Sequence, residues 1–75
     1  MKGELITRID KEVIRQIEKW GATDENPTVL VAATAGELGE VWHAISHNEG
    51  HERIRQEISE TMAVLSRLYD MAQDN

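Results

Sequence analysis

The apolar positions of this chain recur with helical spacing in three segments. The first segment covers about residues 7–20, and its apolar positions lie three or four residues apart: Ile9, Val13, Ile17 and Trp20. This spacing predicts an amphipathic helix with one apolar face. We expect Thr7 or Asp10 to cap its first turn and Gly21 to end it.

The second segment predicts a longer helix that begins at Asn26. Asparagine is a favoured N-cap residue, and the next residue, Pro27, suits the first helical position. We expect this helix to continue to His47 or Asn48. The β-branched cluster at residues 28–31 continues into alanines at helical spacing, so no strand is predicted.

The third segment predicts another long helix, from about residue 51 to about residue 73. Its apolar positions again have helical spacing: Ile54, Ile58, Met62, Leu65, Leu68 and Ala72. The link before it, residues 48–50, is so short that helices two and three are expected to return alongside each other. The predicted fold is all-α, a short helical bundle with an antiparallel hairpin formed by helices two and three.

The size of the chain limits both its domain count and its stability. Its 75 residues are expected to form one helical domain over residues 1–75. The chain contains no cysteine, and a domain of this size is marginally stable without a disulfide, a metal or self-association. We therefore expect a homo-oligomer, either a dimer or a tetramer.

The chain is acidic, with 14 acidic and 8 basic side chains and a formal net charge of −6. Binding to a nucleic-acid polymer needs a basic face, so we do not expect it. The longest apolar run, residues 29–33, is far shorter than the ~20 residues that span a membrane. The first residues lack an apolar signal region, so the expected location is cytoplasmic and no membrane partner is expected.

Four glutamates form the strongest candidate for chemistry. Glu37 and Glu40 lie one turn apart on helix two, and Glu57 and Glu60 do so on helix three. A hairpin turn centred between residues 48 and 49 places Glu40 opposite Glu57 and Glu37 opposite Glu60, in two layers ~4.5 Å apart along the helices. Glu37 and Glu57 also project at or inside the rim of the apolar arc of their helices.

Carboxylates held together beside apolar surface repel one another and lose hydration unless a cation joins them. A ligand set made only of oxygen suits Mg²⁺ or Mn²⁺, and Mg²⁺ retains waters that phosphates can replace. The alternative is that these glutamates only charge a helix surface, as glutamates often do. Spacing by itself leaves both interpretations open.

Two stretches resemble a known family. The stretch GELGEVWHAI at residues 36–45, followed by EISE at residues 57–60, is similar to the EExxE and ExxD motifs of the MazG-like nucleoside triphosphate pyrophosphohydrolases. These enzymes belong to the all-α NTP pyrophosphatase superfamily. The stretch RQIEKWG at residues 15–21 resembles the RQxxKWG segment of small, often phage-associated members. The similarity covers about residues 13–68.

The resemblance implies an enzyme that splits an NTP or dNTP between its α and β phosphates, releasing pyrophosphate and a monophosphate. Glu37 and Glu40 match the second and third glutamates of EExxE, and Glu57 and Glu60 match the two acidic positions of ExxD. The resemblance therefore makes these four residues catalytic ligands of Mg²⁺ or Mn²⁺. The substrate would be the nucleoside triphosphate.

The same resemblance implies substrate contacts on the first helix. Lys19 is expected to pair with phosphate and Trp20 to stack on the base, with Arg15 and Gln16 as further candidates. Taken by themselves, Trp20 would be a core residue at the end of the apolar stripe and Lys19 a solvated charge.

The chain departs from the family motifs at two positions. Glu60 stands where aspartate is usual, which keeps a carboxylate but lengthens it by one methylene. Gly36 replaces the first glutamate of EExxE, which removes one carboxylate. The alternative function is therefore a catalytically impaired MazG-like module for helical dimerisation or nucleotide sensing.

Other residues with chemical potential have simpler explanations. His43 and His47 project roughly opposite the apolar arc of helix two, so we expect solvated side chains rather than a di-iron site. A further stripe on helix two is more simply core: Leu38, Val41, Trp42 and Ile45. The apolar arc of helix two is nonetheless broad enough to serve both helix three and a second subunit.

Overall fold

The computed structural model describes residues 2–21 and 26–72. It contains three helices: α1 (Lys2–Trp20), α2 (Pro27–Ser46) and α3 (His51–Met71). The described residues include no strand. The all-helical prediction is therefore confirmed. The predicted end of the third helix at residue 73 lies outside the described residues.

Helix α1 begins earlier than predicted, at Lys2 rather than near Thr7. The Thr7 hydroxyl donates a hydrogen bond to the backbone oxygen of Gly3, at 2.9 Å. The Arg8 guanidinium forms ion pairs with Glu4 at 3.1 Å and with Glu52 of α3 at 2.9 Å. The prediction that Thr7 or Asp10 caps the helix is wrong, because these polar contacts support helical turns that apolar periodicity does not reveal.

The ends of the other helices follow the sequence signals closely. The Asn26 side chain accepts a hydrogen bond from the backbone N–H of Thr28 at 2.8 Å, which confirms the predicted N-cap of α2. Helix α2 ends at Ser46, one or two residues before the predicted end. Gly21 ends α1 with a φ of 95°, a left-handed conformation that favours glycine.

Helix α3 is the central element, because it packs against both α1 and α2. In the described part of the chain, no Cα atom of α1 lies within 8 Å of one of α2. Leu30 and Ala44 of α2 and Ala63 and Val64 of α3 form the buried apolar core. The predicted packing of helices two and three is confirmed, and it places the glutamates of α2 beside those of α3.

One side of α2 carries an apolar stripe that the other described helices leave exposed. The stripe consists of four residues: Val31, Leu38, Trp42 and Ile45. Trp42 is 69% exposed, and Leu38 and Ile45 are also more than half exposed. The prediction that Leu38, Trp42 and Ile45 are core residues is therefore wrong for a single chain. Among the described helices, only α3 packs against α2, and the apolar arc of α2 is wider than that contact. We call these four residues the α2 stripe.

None of the helices in the described ranges is long and apolar enough to cross a membrane.

Candidate metal centre

Three carboxylates converge between α2 and α3. Glu37 of α2 and Glu57 and Glu60 of α3 each offer one oxygen, and these three oxygens lie within 4.8 Å of one another. Glu57 is only 3% exposed, while Glu37 and Glu60 are half-buried. We call these three residues the carboxylate cluster. The hairpin register that places Glu37 opposite Glu60 is therefore present in the structure.

Glu40, the fourth predicted ligand, lies at the edge of the carboxylate cluster. It is exposed and does not belong to the group of three close oxygens. Its charge nevertheless contributes to raising the pKa of Glu37 and of Glu57. The structure thus brings three of the four glutamates together and leaves Glu40 close to them on the solvent side.

The surroundings of the cluster disfavour its negative charge. Burial raises the pKa of Glu37 to about 7, followed as causes by the charge of Glu60, a hydrogen bond with the Glu60 side chain, and the charges of Glu57 and Glu40. Burial and the charge of Glu60 also raise the pKa of Glu57, although Arg53 acts in the opposite direction. The Arg53 guanidinium forms an ion pair with Oε2 of Glu57 at 2.6 Å. At neutral pH the cluster therefore needs a proton or a cation.

One oxygen of the cluster has no partner. Oε2 of Glu37 is buried and accepts no hydrogen bond from any described residue. A buried acceptor without a partner is costly and is uncommon in folded proteins. The contacts of Glu60 with Gln56 and Arg15, and that of Glu57 with Arg53, involve the Oε2 atoms of the two glutamates. Converging carboxylate oxygens with one unsatisfied acceptor fit a hard divalent cation such as Mg²⁺ or Mn²⁺.

Helix α1 contributes a second layer that the sequence patterns did not reveal. Gln56 Nε2 donates hydrogen bonds to Oε2 of Glu12 at 2.8 Å and to Oε2 of Glu60 at 3.0 Å. Arg15 forms an ion pair with Glu12 at 2.8 Å and lies 3.8 Å from Oε2 of Glu60. Glu12, which is buried, thereby connects α1 to the cluster. The sequence signal that could have identified Glu12 was its position one helical turn before Gln16, on the same face of α1.

The predicted substrate residues occupy different environments. Arg15 is half exposed, beside Glu60. Gln16 is buried, and its amide donates to the backbone oxygen of Glu60 at 3.2 Å. Lys19 is exposed, with Nζ 5.3 Å from the centroid of a Trp20 ring. Trp20 is 45% exposed and lines a cavity, so it is not the buried core residue that its position in the stripe indicates.

His43 of α2 and His47, which follows its end, are not part of the carboxylate cluster. His43 and His47 are exposed, and their rings stack with centroids 4.0 Å apart. Nε2 of His43 lies 3.2 Å from a carboxylate oxygen of Glu49. The group of close metal-ligating atoms found among the described residues includes no histidine.

The helical site of Gly36 has room for a side chain, since a Cβ atom there would meet nothing within 4 Å. We expect Gly36→Ala to raise the free energy of unfolding by about 0.5–1 kcal/mol, because glycine is a poor helix former, and Gly36→Glu to raise it less without metal, because the new carboxylate lies one turn before Glu40 and beside Glu37. Only Gly36→Glu adds a carboxylate, so only this variant is expected to bind Mg²⁺ more tightly. Denaturant unfolding and calorimetry measure the two effects. Equal Mg²⁺ affinity in both variants would mean that position 36 does not reach the cation.

Comparisons with protein families, with curated proteins and with solved structures found no match for this chain.

Proposed function

We propose that the chain is a nucleotide pyrophosphohydrolase dependent on Mg²⁺ or Mn²⁺. The reaction converts an NTP or dNTP and water into a monophosphate and pyrophosphate. The observations that carry this proposal are the convergence of one oxygen each of Glu37, Glu57 and Glu60, and the buried Oε2 of Glu37 that has no hydrogen-bond partner among the described residues. The resemblance to MazG-like enzymes adds the reaction type, and the acidic surroundings require a cation before triphosphate can approach.

The carboxylate cluster would hold the cation. When bound, a divalent cation neutralises charge on phosphate oxygens and makes a coordinated water more acidic. Glu40, exposed at the edge of the cluster, is the carboxylate left to orient the attacking water and to accept its proton. The half-exposed guanidinium of Arg15 offers N–H donors to the phosphates.

Product analysis tests the reaction directly. The purified protein is incubated with a panel of NTPs and dNTPs and either Mg²⁺ or Mn²⁺, and pyrophosphate, orthophosphate and nucleoside monophosphate are measured. We expect equal amounts of pyrophosphate and monophosphate, because water attacks the α-phosphorus and the bond to the bridging oxygen breaks. Release of orthophosphate instead would contradict this assignment.

The second candidate function is a non-catalytic helical module that senses nucleotides or dimerises. The observation that favours it is Gly36, where a carboxylate would fit but is missing. A folded protein that binds Mg²⁺ and nucleotide but releases no pyrophosphate would support this alternative. If Mg²⁺ neither raises the melting temperature nor produces heat in calorimetry, the glutamates only charge the surface and both proposals fail.

Self-association is part of the same proposal, and the α2 stripe supports it. An exposed apolar surface on a marginally sized domain is best covered by a second copy of the same chain. We expect the wild-type protein to have a molar mass that is a multiple of 8.5 kDa. Trp42→Glu is expected to shift the molar mass to that of a single chain, because a buried unpaired charge disrupts an apolar interface. Ile14→Glu is the matched control, because Ile14 is similarly exposed but lies on α1. Light scattering distinguishes these outcomes, and a wild-type monomer would contradict the proposal.

A further inference from the structure

A cavity of about 350 Å³ lies where the end of α1 and the start of α2 meet α3. Among the described residues, five line it: Trp20, Val29, Leu30, Ala33 and Arg67. Four of them are apolar or aromatic, and the volume is within the range of small-molecule sites. We call this space the Arg67 cavity.

Arg67 is a buried cation with weak partners. It is 8% exposed, and its guanidinium contacts the Gln16 side-chain oxygen and the Gly21 backbone oxygen, each at 3.4 Å. Both distances are long for a hydrogen bond, and both oxygens are neutral. No carboxylate of the described ranges lies within 4.0 Å of it. Because a buried charge without a strong partner is costly, the remaining N–H donors of Arg67 call for an acceptor.

Gln16 links the Arg67 cavity to the carboxylate cluster through hydrogen bonds. Gln16 donates to the backbone oxygen of Glu60 at 3.2 Å and accepts from Arg67 on its other side. Arg67 follows Glu60 by two helical turns, ~10 Å along α3. On α2, Ala33 of the cavity lies one turn before Glu37. With this spacing, a ligand that holds its phosphates at the cluster would have to extend ~10 Å along α3 to reach the cavity.

We propose that the Arg67 cavity binds the base of the nucleotide and that Arg67 makes it selective for guanine over adenine. The indole of Trp20 and the apolar lining suit a flat aromatic ring. Guanine presents two acceptors, O6 and N7, on one edge, which match the paired N–H donors of a guanidinium. Adenine presents an amino group at the corresponding position, and a guanidinium has no acceptor for it. This inference rests on the proposed function only for identifying the ligand as a nucleotide.

Nucleoside binding tests the cavity without using the carboxylate cluster, because guanosine and adenosine carry no phosphate. We expect equilibrium dialysis or calorimetry to show that guanosine binds at least ~10-fold more tightly than adenosine. Arg67→Gln is expected to reduce this ratio to about twofold or less. Arg55→Gln, an exposed arginine on the same helix, is the matched control and keeps the ratio. Equal binding of both nucleosides, no binding to the folded protein, or an unchanged ratio in Arg67→Gln would overturn the proposal.

A stability measurement covers the possibility that Arg67 is paired within the chain. Asp24 and Glu25 lie outside the described residues, so both are included as Asp24→Asn and Glu25→Gln. We expect Arg67→Met to unfold at the same or a higher temperature than the wild type, because an unpaired buried charge does not stabilise. Matching losses of stability in Arg67→Met and in either acidic variant would show an internal ion pair and overturn the proposal.

The outcomes for the cavity and for the reaction are separable. Guanosine selectivity that depends on Arg67, without pyrophosphate release from any nucleotide, would remove the proposed enzyme and leave the base site. Pyrophosphate release at equal rates from GTP and ATP, unchanged in Arg67→Gln, would leave the proposed enzyme and remove the base site.

Discussion

Replacing Glu37 by glutamine is expected to weaken Mg²⁺ binding and pyrophosphate release by about 100-fold or more. Even groups that only orient a metal ligand typically contribute 10–100-fold to metal affinity, and Glu37 is proposed as a direct ligand. The same variant is expected to be more stable than the wild type without metal at pH 8, by about 1 kcal/mol. The physical reason is that the amide removes a half-buried negative charge and donates a hydrogen bond to its carboxylate neighbours.

A loss of Mg²⁺ affinity together with a gain of metal-free stability would identify Glu37 as a metal ligand. A residue that only supports the fold would lose stability and activity together. Glu18→Gln is the matched control, because it makes the same chemical change on an exposed part of α1 and is expected to alter neither measurement. Calorimetry gives the Mg²⁺ affinity, and denaturant unfolding gives the stability. A Glu37→Gln protein that binds Mg²⁺ as tightly as the wild type would exclude Glu37 as a ligand.

The stability of the metal-free protein is expected to fall as the pH rises. The pKa of Glu37 is about 7 in the folded chain and 4.5 in its ordinary state. Between these values the unfolded carboxyl has lost its proton while the folded one retains it, so the unfolded state binds fewer protons and the free energy of unfolding decreases with pH. One pKa unit corresponds to about 1.4 kcal/mol and solvent screens a half-buried group, so we expect a total decrease of about 1–2 kcal/mol.

Mg²⁺ is expected to reverse this dependence. The cation and the proton compete for the same oxygens, so Mg²⁺ affinity should rise by up to about tenfold per pH unit below pH 7 and then level off. Saturating Mg²⁺ should therefore stabilise the protein more at pH 8 than at pH 5.5. Unfolding curves at a series of pH values, with Mg²⁺ and with chelator, measure both trends.

Glu37→Gln provides the control for the pH experiment, because it removes the carboxyl whose pKa is raised to about 7. Its metal-free stability is expected to vary much less between pH 4.5 and pH 7 than that of the wild type. Burial also raises the pKa of Glu57, so a small slope of the same sign should remain. A wild-type stability that increases over this range would contradict the proposed state of Glu37.

The structure places the predicted glutamates in different environments. Helical spacing and the length of the turn were sufficient to place Glu37 beside Glu60, since both depend only on residues close in sequence. They were not sufficient to show that Glu40 lies at the solvent edge while Glu57 is almost completely buried. That difference depends on how α3 packs against α2, where Ala44 and Val64 are buried.

Sequence patterns were sufficient to predict the three helices, the N-cap at Asn26, the stop at Gly21 and the pairing of helices two and three. These features follow from local periodicity, capping and a short link. Helix packing was needed to show which faces are covered: it leaves the α2 stripe exposed, and it brings Glu12 to Gln56 and Gln16 to Arg67. The members of these pairs are 44 and 51 residues apart in the chain. Their contacts depend on where α1 packs along α3. Hydrophobic periodicity predicts which face of α1 is buried, but it does not predict which residues of α3 that face contacts.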